Sequence, residues 1–198
     1  MKKLLLVAVI VAAGASGYLL RQQLVTSEQE KAVAAVNEAD INPALVSFTL
    51  PDLEGTPRDF SEWQGKARIV NFWATWCAPC RREIPLLKET QAEHGDDGVQ
   101  VIGIAVDFTE DVIAYAGEAE FNYPVLVGQE DAMAVAESSG VRFIGLPFTL
   151  VVAPGGELLA AHLGEIHAPQ LDTIVTELAN LAAGRTNLAD ARAALKSL

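Results

Sequence analysis

Apolar runs alternate with amphipathic stretches along the central part of the chain. Three runs are short and almost free of polar residues, which is typical of strands buried on both faces of a sheet. They lie at residues 68–73, 99–106 and 123–127. Stretches with helix-like spacing follow them, at residues 81–89, 111–120 and 131–138, and Thr109 is the expected N-cap of the second helix. Strands that alternate with helices predict a layered α/β domain.

Turn residues indicate a hairpin at each end of this domain. A short amino-terminal hairpin is expected from residue 48 onwards, around the turn at Gly55. The second is expected where residues 148–152 and 158–163 flank the turn Pro154-Gly155-Gly156. Two helices should follow the second hairpin. They are predicted at residues 171–181 and 188–195, with a stop at Gly184.

The first 20 residues differ from the rest. Met1-Lys2-Lys3 precedes residues 4–20, which carry no charge, and Arg21 ends the run. This pattern directs a chain to a membrane, and the positive-inside rule places everything after Arg21 on the outer side. The spacing of Ala13-Gly14-Ala15 also suits a signal peptidase, and cleavage there would release a soluble exported protein. Because the uncharged run nearly matches the hydrocarbon thickness of a bilayer, we favour a retained single-pass anchor.

We therefore divide the chain into four parts. Residues 1–20 are a membrane anchor or signal segment, and residues 21–47 are a polar spacer, for which a helix packed on the domain is the alternative. Residues 48–183 form the α/β domain, and residues 184–198 form a carboxy-terminal helical tail.

The net charge and the number of cysteines limit the classes of function that are possible. The formal net charge of the 198 residues is -12, which disfavours nucleic-acid binding because the phosphate backbone would be repelled. The chain has two cysteines, Cys77 and Cys80, and they lie three positions apart. A single close pair indicates redox chemistry or metal binding rather than a framework of several disulfides.

The spacing of the two cysteines suits a redox pair at the start of a helix. A disulfide needs Cα atoms within about 7 Å, and one helical turn provides this separation. If Cys77 begins the helix after the central strand, the unpaired N–H groups and the helix dipole stabilise its thiolate. Such cysteines can have pKa values near 7 instead of about 8.5. Cys77 is then the nucleophile, and the less exposed Cys80 resolves the mixed disulfide.

The segment around the cysteines, Val70-Asn71-Phe72-Trp73-Ala74-Thr75-Trp76-Cys77-Ala78-Pro79-Cys80-Arg81-Arg82-Glu83-Ile84-Pro85, resembles the signature of a known family. It is similar to the TlpA/ResA-like membrane-anchored thiol:disulfide oxidoreductases of the thioredoxin superfamily, and the likeness extends over about residues 48–181. The resemblance implies a thioredoxin-like fold, in which helices flank a central mixed sheet. An amino-terminal hairpin and an inserted strand–helix element between about residues 99 and 123 are added to it.

The resemblance also implies roles for further residues. Leu146-Pro147 matches the family's cis-proline loop, which binds the substrate backbone, and we expect Trp76 to contact substrate as well. Thioredoxin has a proton-relaying aspartate where this chain has Asn71, which cannot titrate. In ResA-like members an acid three residues after the second cysteine takes that duty, and Glu83 is the candidate here. An exposed glutamate on the helix surface is the alternative.

The function expected from the family is the reduction of protein disulfides in the bacterial cell envelope, with no cofactor and with electrons from a membrane-embedded thiol reductant. Cytochrome c maturation is one pathway for such enzymes. The specialists of that pathway often have an acid directly after the cis-proline, and Phe148 is not an acid. The direction of electron flow depends on tens of millivolts of reduction potential, which the sequence leaves open.

Three other functions could use one or both cysteines. A zinc site requires four close ligands, and beyond the cysteines the chain offers only the scattered His94, His162 and His167, so we predict no metal site. A peroxiredoxin-like peroxidase would need a proline upstream of its nucleophile, which the segment before Cys77 lacks. A copper-binding or copper-delivery module could use both cysteines with His162 or His167, although such proteins usually space their cysteines more widely.

Overall fold

A computed structural model describes residues 47–198 of the protein. The predicted anchor at residues 4–20, the cleavage site after Ala15 and nearly all of the spacer lie outside the described residues. Within residues 47–198, no helix is both long enough and apolar enough to span a bilayer.

The described part begins with the expected hairpin. Strand β1 (Thr49–Pro51) pairs antiparallel with β2 (Pro57–Asp59). The turn between them contains Gly55 with a φ of 77°, a backbone conformation that favours glycine. A 3₁₀ turn, Phe60–Trp63, follows. A capping box closes its amino end: the Asp59 side chain accepts the backbone N–H of Glu62, and the Glu62 side chain accepts the backbone N–H of Asp59.

A second sheet forms the centre of the domain. Its strands are β3 (Ala67–Trp73), β4 (Val99–Val106), β5 (Val125–Gly128), β6 (Phe148–Val152) and β7 (Leu158–Leu163). Among the described residues the order across the sheet is β5-β4-β3-β6-β7. Strands β3, β4 and β5 run parallel, whereas β6 and β7 pair antiparallel. All seven residues of β3 are buried, as its apolar run predicted.

Five α-helices connect and flank these strands in the described part of the chain. They are α1 (Ala78–His94), α2 (Thr109–Ala119), α3 (Glu130–Ser138), α4 (Ala168–Ala182) and α5 (Leu188–Ala194), and a 3₁₀ turn, Leu195–Ser197, follows α5. This mixed sheet with flanking helices confirms the predicted α/β thioredoxin-like class. Strand β4 and helix α2 occupy the region where the inserted strand and helix were expected.

The predicted cap of α2 is wrong. Thr109 is the first residue of the helix, the N-cap is Phe108, and no side chain bonds the free N–H groups there. Asp107, directly before Phe108, accepts the N–H of Phe108 through its side chain. This bond holds the backbone in the conformation that makes Phe108 the N-cap.

Both edges of the central sheet are in contact with other elements. Asp52, directly after β1, forms an isolated antiparallel bridge with Leu126 on β5. At the other edge, the Arg192 side chain of α5 donates from Nε to the Leu158 carbonyl of β7 at 3.0 Å. Ala191 and Leu195 are buried in the core. The carboxy-terminal helix is thus packed on the domain, while the boundaries drawn at residues 47 and 183 stay predictions.

Candidate active site

The cysteine pair lies where the central strand passes into the first helix. Strand β3 ends at Trp73, a loop of three residues follows, and Cys77 is the N-cap of α1. Pro79 occupies one of the first helical positions, which suits a residue without an N–H because these groups have no partner within the helix. The Cys77 sulfur accepts the backbone N–H of Cys80 at 3.3 Å. The sulfur therefore takes the place of a capping oxygen.

Cys77 and Cys80 form a disulfide, with their Cα atoms 5.3 Å apart. Cys80 is completely buried, while 5% of Cys77 is exposed. Cys77 is thus the slightly more accessible of the two, and the division between an attacking and a resolving cysteine stays a prediction. Trp76, directly before Cys77, is 70% exposed. A large indole that stands in solvent beside a reactive sulfur offers apolar surface to a docking protein.

The loop before Cys77 is held by Asp107, at the carboxyl end of β4. One carboxylate oxygen of Asp107 accepts both the backbone N–H of Thr75 at 2.8 Å and the Thr75 hydroxyl at 2.6 Å. The other oxygen accepts the N–H of Phe108 at 2.8 Å. Asp107 is itself buried, Thr75 is half-buried and Phe108 is exposed, so these bonds are partly shielded from water. They fix the backbone that carries Trp76 and Cys77.

The peptide bond between Leu146 and Pro147 is cis, as the resemblance implied. The Pro147 carbonyl accepts the N–H of Gly164 at 2.9 Å, which ties the loop to the residue after β7. Leu146 packs against the apolar cluster that contains both cysteines. The loop and the cysteine pair thus border the same apolar core, and the substrate-binding roles of Leu146, Pro147 and Trp76 stay predictions.

Glu83 is completely buried, so the alternative of an exposed surface glutamate is wrong. It lies one turn after Cys80 on α1. One carboxylate oxygen, Oε1, accepts from Asn71 Nδ2 at 2.7 Å, and the other, Oε2, accepts the backbone N–H of Ile166 at 2.8 Å. Asn71 Nδ2 also donates to the Thr149 hydroxyl at 3.0 Å. The carboxyl group is therefore clamped between β3 and the segment before α4.

Burial raises the pKa of Glu83 to about 7, because the charged form is poorly solvated there. The bonds from Ile166 and Asn71 act in the opposite direction, and the negative charge of Glu165 adds to the rise. A carboxyl group with this pKa can hold or release a proton near neutral pH, which is the property required of a proton-transfer group. Its role in the reaction stays a prediction.

The histidines considered as metal ligands do not join the cysteines. Within residues 47–198, no three side chains of His, Cys, Asp or Glu form a group that could hold a metal ion. His162 lies 3.4 Å from the Glu165 carbonyl, and His167 is the N-cap of α4.

Sequence reasoning missed three parts of this site. Asp107 could have been suspected, because it follows a parallel strand next to the one that leads to Cys77. Thr149 lies opposite Asn71 in the register of β3 and β6, but that register is set by the folded sheet. The Ile166 N–H carries no side-chain signal, so nothing in the sequence pointed to it.

Comparisons with known proteins agree with this geometry. Residues 41–161 match the model of the AhpC/TSA family. A thiol-disulfide oxidoreductase ResA of Bacillus thuringiensis subsp. konkukian is 25% identical over 173 residues, which cover 87% of this chain and 93% of the relative. A ResA of Halalkalibacterium halodurans is 31% identical over 120 residues, covering 60% and 66% of the two chains.

Solved structures give the same result. A thiol:disulfide interchange protein of the thioredoxin family from Chlorobium tepidum TLS superposes with a TM-score of 0.62 at 30% identity, over 71% of this chain and 99% of that one. A secreted thiol-disulfide isomerase of Corynebacterium glutamicum has a TM-score of 0.62 at 25% identity, over 69% and 85%. The family match spans well over half of the chain, and the two cysteines are joined in a disulfide at the start of a helix. The chain therefore belongs to the AhpC/TSA family, and it is a thiol-disulfide oxidoreductase.

Proposed function

We propose that this protein reduces protein disulfides on the outer face of a bacterial cytoplasmic membrane, anchored through residues 4–20. The observation that carries the chemistry is the place of Cys77, whose sulfur caps α1 beside the exposed Trp76. The uncharged run after Lys2-Lys3 supports the location.

The reaction proceeds in two exchanges. The Cys77 thiolate attacks one sulfur of a substrate disulfide, an S–S bond forms between Cys77 and that sulfur, and the other substrate sulfur leaves as a thiolate. The Cys80 thiolate then attacks the Cys77 sulfur, which closes the Cys77–Cys80 disulfide and releases the second substrate thiolate. Two electrons have passed to the substrate. A membrane-embedded dithiol reductant returns them and is oxidised to its own disulfide.

Glu83 serves the second exchange. Cys80 is buried and must lose its proton before it can attack. This requires a proton acceptor that lies nearby and whose pKa is close to that of the thiol. Glu83 lies one turn further along the same helix and has a pKa of about 7. It accepts the proton of the Cys80 thiol and returns it when the disulfide is reduced again.

The surroundings of the Cys77 sulfur support reduction over oxidation. Strong oxidants of this kind owe their high potential to a well-stabilised reduced form. Here the sulfur accepts one hydrogen bond, from the Cys80 N–H, and no other donor to it is present among residues 47–198. The first cations of α1, Arg81 and Arg82, are exposed to solvent, and Arg82 is paired with Glu165. We infer a low reduction potential, and apocytochrome c disulfides are the first natural substrate to test.

The deciding experiment is a redox titration of the full-length protein in detergent. A reduction potential near that of thioredoxin, about -270 mV, is expected, and one near about -120 mV would reverse the direction of the reaction. With Cys80→Ser, a mixed disulfide between Cys77 and the substrate should accumulate. Cys77→Ser is the matched control and should form none.

Further measurements test the alternative functions and the location of the protein. Rapid turnover of hydrogen peroxide, or tight binding of Cu(I) by the reduced protein, would favour the peroxidase or the copper module. A reporter that is active only after export, fused behind Leu198, should be active and should sediment with membranes. Mass spectrometry of the amino terminus distinguishes a retained anchor from cleavage after Ala15.

A further inference from the structure

The buried amide of Asn71 has one end in use and one end unpaired. Its Nδ2 donates to Glu83 and to Thr149, whereas its Oδ1 is buried and has no hydrogen-bond partner within residues 47–198. A buried amide oxygen without a partner is unfavourable, and most such atoms in folded proteins are bonded. The two hydrogen bonds to Glu83, from Asn71 Nδ2 and from the Ile166 N–H, suit an ionised carboxylate, because each of its oxygens accepts one bond.

A protonated Glu83 cannot keep the same pattern. Its hydroxyl group is a donor, so it would face the N–H of Ile166 at Oε2 or the NH₂ of Asn71 at Oε1. The backbone N–H of Ile166 cannot become an acceptor. The proton therefore has to go on Oε1, towards the side chain that can change the group it presents.

We propose that Asn71 is a rotating positioning residue, whose carboxamide turns over when Glu83 gains a proton and thereby keeps the carboxyl group in one place in both charge states. This proposal deepens the proposed function, because it rests on the proton-transfer role of Glu83. Asn71 touches neither sulfur in any hydrogen bond of the structure, so its effect reaches the chemistry through Glu83.

The turned amide satisfies the neutral state with the same neighbours. Oδ1 takes the place of Nδ2, where it accepts the new Oε1–H of Glu83 and, after rotation of its hydroxyl, the O–H of Thr149. Nδ2 moves to the place that Oδ1 had, which has no partner in either orientation. Rotation thus adds no unpaired group, while it exchanges two donated bonds for two accepted ones.

Besides Glu83 itself, five titratable residues lie on the elements around Glu83 and its partners. They are Cys77 and Cys80 at the start of α1, Tyr123 before β5, His162 opposite Thr149 on β7, and Glu165 before Ile166. Glu165 is paired with Arg82, which lowers the pKa of Glu165 and keeps it ionised. Burial raises the pKa of Tyr123, so it stays neutral. Glu83 is the group of this set placed to bond Asn71 directly.

Nuclear magnetic resonance of the full-length oxidised protein in detergent tests the proposal, because the disulfide removes thiol titration. Above the midpoint of Glu83, the Asn71 side-chain NH₂ protons should show contacts with the Thr149 side chain. Below the midpoint these contacts should disappear, and the NH₂ signals should shift with the same midpoint as the Glu83 carboxyl carbon. In Glu83→Gln neither change should occur.

A variant measures the size of the effect. Asn71→Leu removes a hydrogen bond from each charge state of Glu83. Because the bond to the ionised form is the stronger of the two, a rotating amide predicts that the midpoint rises by less than about one pH unit, a tenfold change in proton affinity, whereas a fixed amide that bonds only the ionised form predicts a rise of more than about one unit. Gln100→Leu is the matched control, since it removes a buried amide from the neighbouring strand without touching Glu83, and the midpoint should not move.

The proposal is overturned if the NH₂ protons stay beside Thr149 at all pH values while the Glu83 carboxyl titrates, and this result needs no variant to fold. If the amide rotates but thiol exchange keeps the same pH dependence in Glu83→Gln, the rotation stands and the proton-transfer role of Glu83 fails. The two ideas are therefore separable.

Discussion

The buried carboxylate of Glu83 accepts the backbone N–H of Ile166, a residue 83 positions further along the chain, at 2.8 Å. The residues directly before these two, Arg82 and Glu165, also contact each other, through an ion pair. Two consecutive residues of α1 therefore hold two consecutive residues before α4, one pair in solvent and the other in the core. The inner pair decides how the protein responds to pH.

Glu83→Gln should remove a pH dependence of stability. The pKa of Glu83 is about 7 in the folded protein, above the ordinary value of 4.5, so the folded state binds more protons between these values. Stability therefore falls as pH rises from about 4.5 to 7, by roughly 3 kcal/mol in total. Chemical denaturation of the oxidised protein at pH 5 and pH 7 should show roughly 2 kcal/mol of this change. The variant should show little of it, and an equal fall in both proteins would contradict the pKa.

Asp107→Ala should weaken both the fold and the exchange reaction. The variant loses three hydrogen bonds to a buried carboxylate, which costs roughly 3 kcal/mol of unfolding free energy. Because the lost bonds hold Thr75, the reduced Cys77 should also alkylate at an altered rate. Urea denaturation and iodoacetamide kinetics measure the two effects. The exposed Asp96→Ala is the control and should change neither.

Trp76→Ala should separate substrate binding from chemistry. The indole is mostly exposed, so stability should change by no more than about 0.5 kcal/mol. If Trp76 docks substrate proteins, kcat/KM for a protein disulfide should fall by roughly tenfold, while the rate with a small-molecule disulfide should be unchanged. Ile113→Ala, also exposed but on α2, is the control. An equal loss with both substrates would place Trp76 in the chemistry instead.

Two glycines offer a matched test of packing on the active-site side of the sheet. A Cβ on Gly103 of β4 would lie 3.2 Å from both Trp73 Nε1 and Tyr123 Cε2, so Gly103→Ala should cost roughly 1–3 kcal/mol. Gly117 in α2 has no atom near the same position, and Gly117→Ala should gain about 0.5–1 kcal/mol. Thermal unfolding of the two variants should shift in opposite directions. A stable Gly103→Ala would show that Trp73 can move aside.

Much of the fold was predictable because local pattern determined it. The apolar run at residues 99–106 gave β4 with the bounds that the structure shows, and Gly55 and Pro154-Gly155-Gly156 marked the two hairpin turns. The cysteine pair at a strand–helix junction was equally local, since its sequence neighbours create its surroundings.

The rest depended on contacts that no local pattern contains. An acid on a helix is usually exposed, and Glu83 differs because Asn71 and Ile166 meet it from distant parts of the chain. Thr109 is of a residue type that often caps helices, but Asp107 bonds the N–H of Phe108, and Phe108 is the N-cap instead. In both cases the expectation from neighbouring residues failed at a buried carboxylate that also bonds a distant residue, Ile166 for Glu83 and Thr75 for Asp107.

The contacts at the two sheet edges have a consequence for self-association. An uncovered edge strand can add a strand from another molecule, which is a common route to aggregation. Asp52 engages β5 and Arg192 engages β7, so either edge would have to give up a contact before it could recruit a second chain. A protein that exchanges disulfides with other chains is thereby less prone to add their strands to its own sheet.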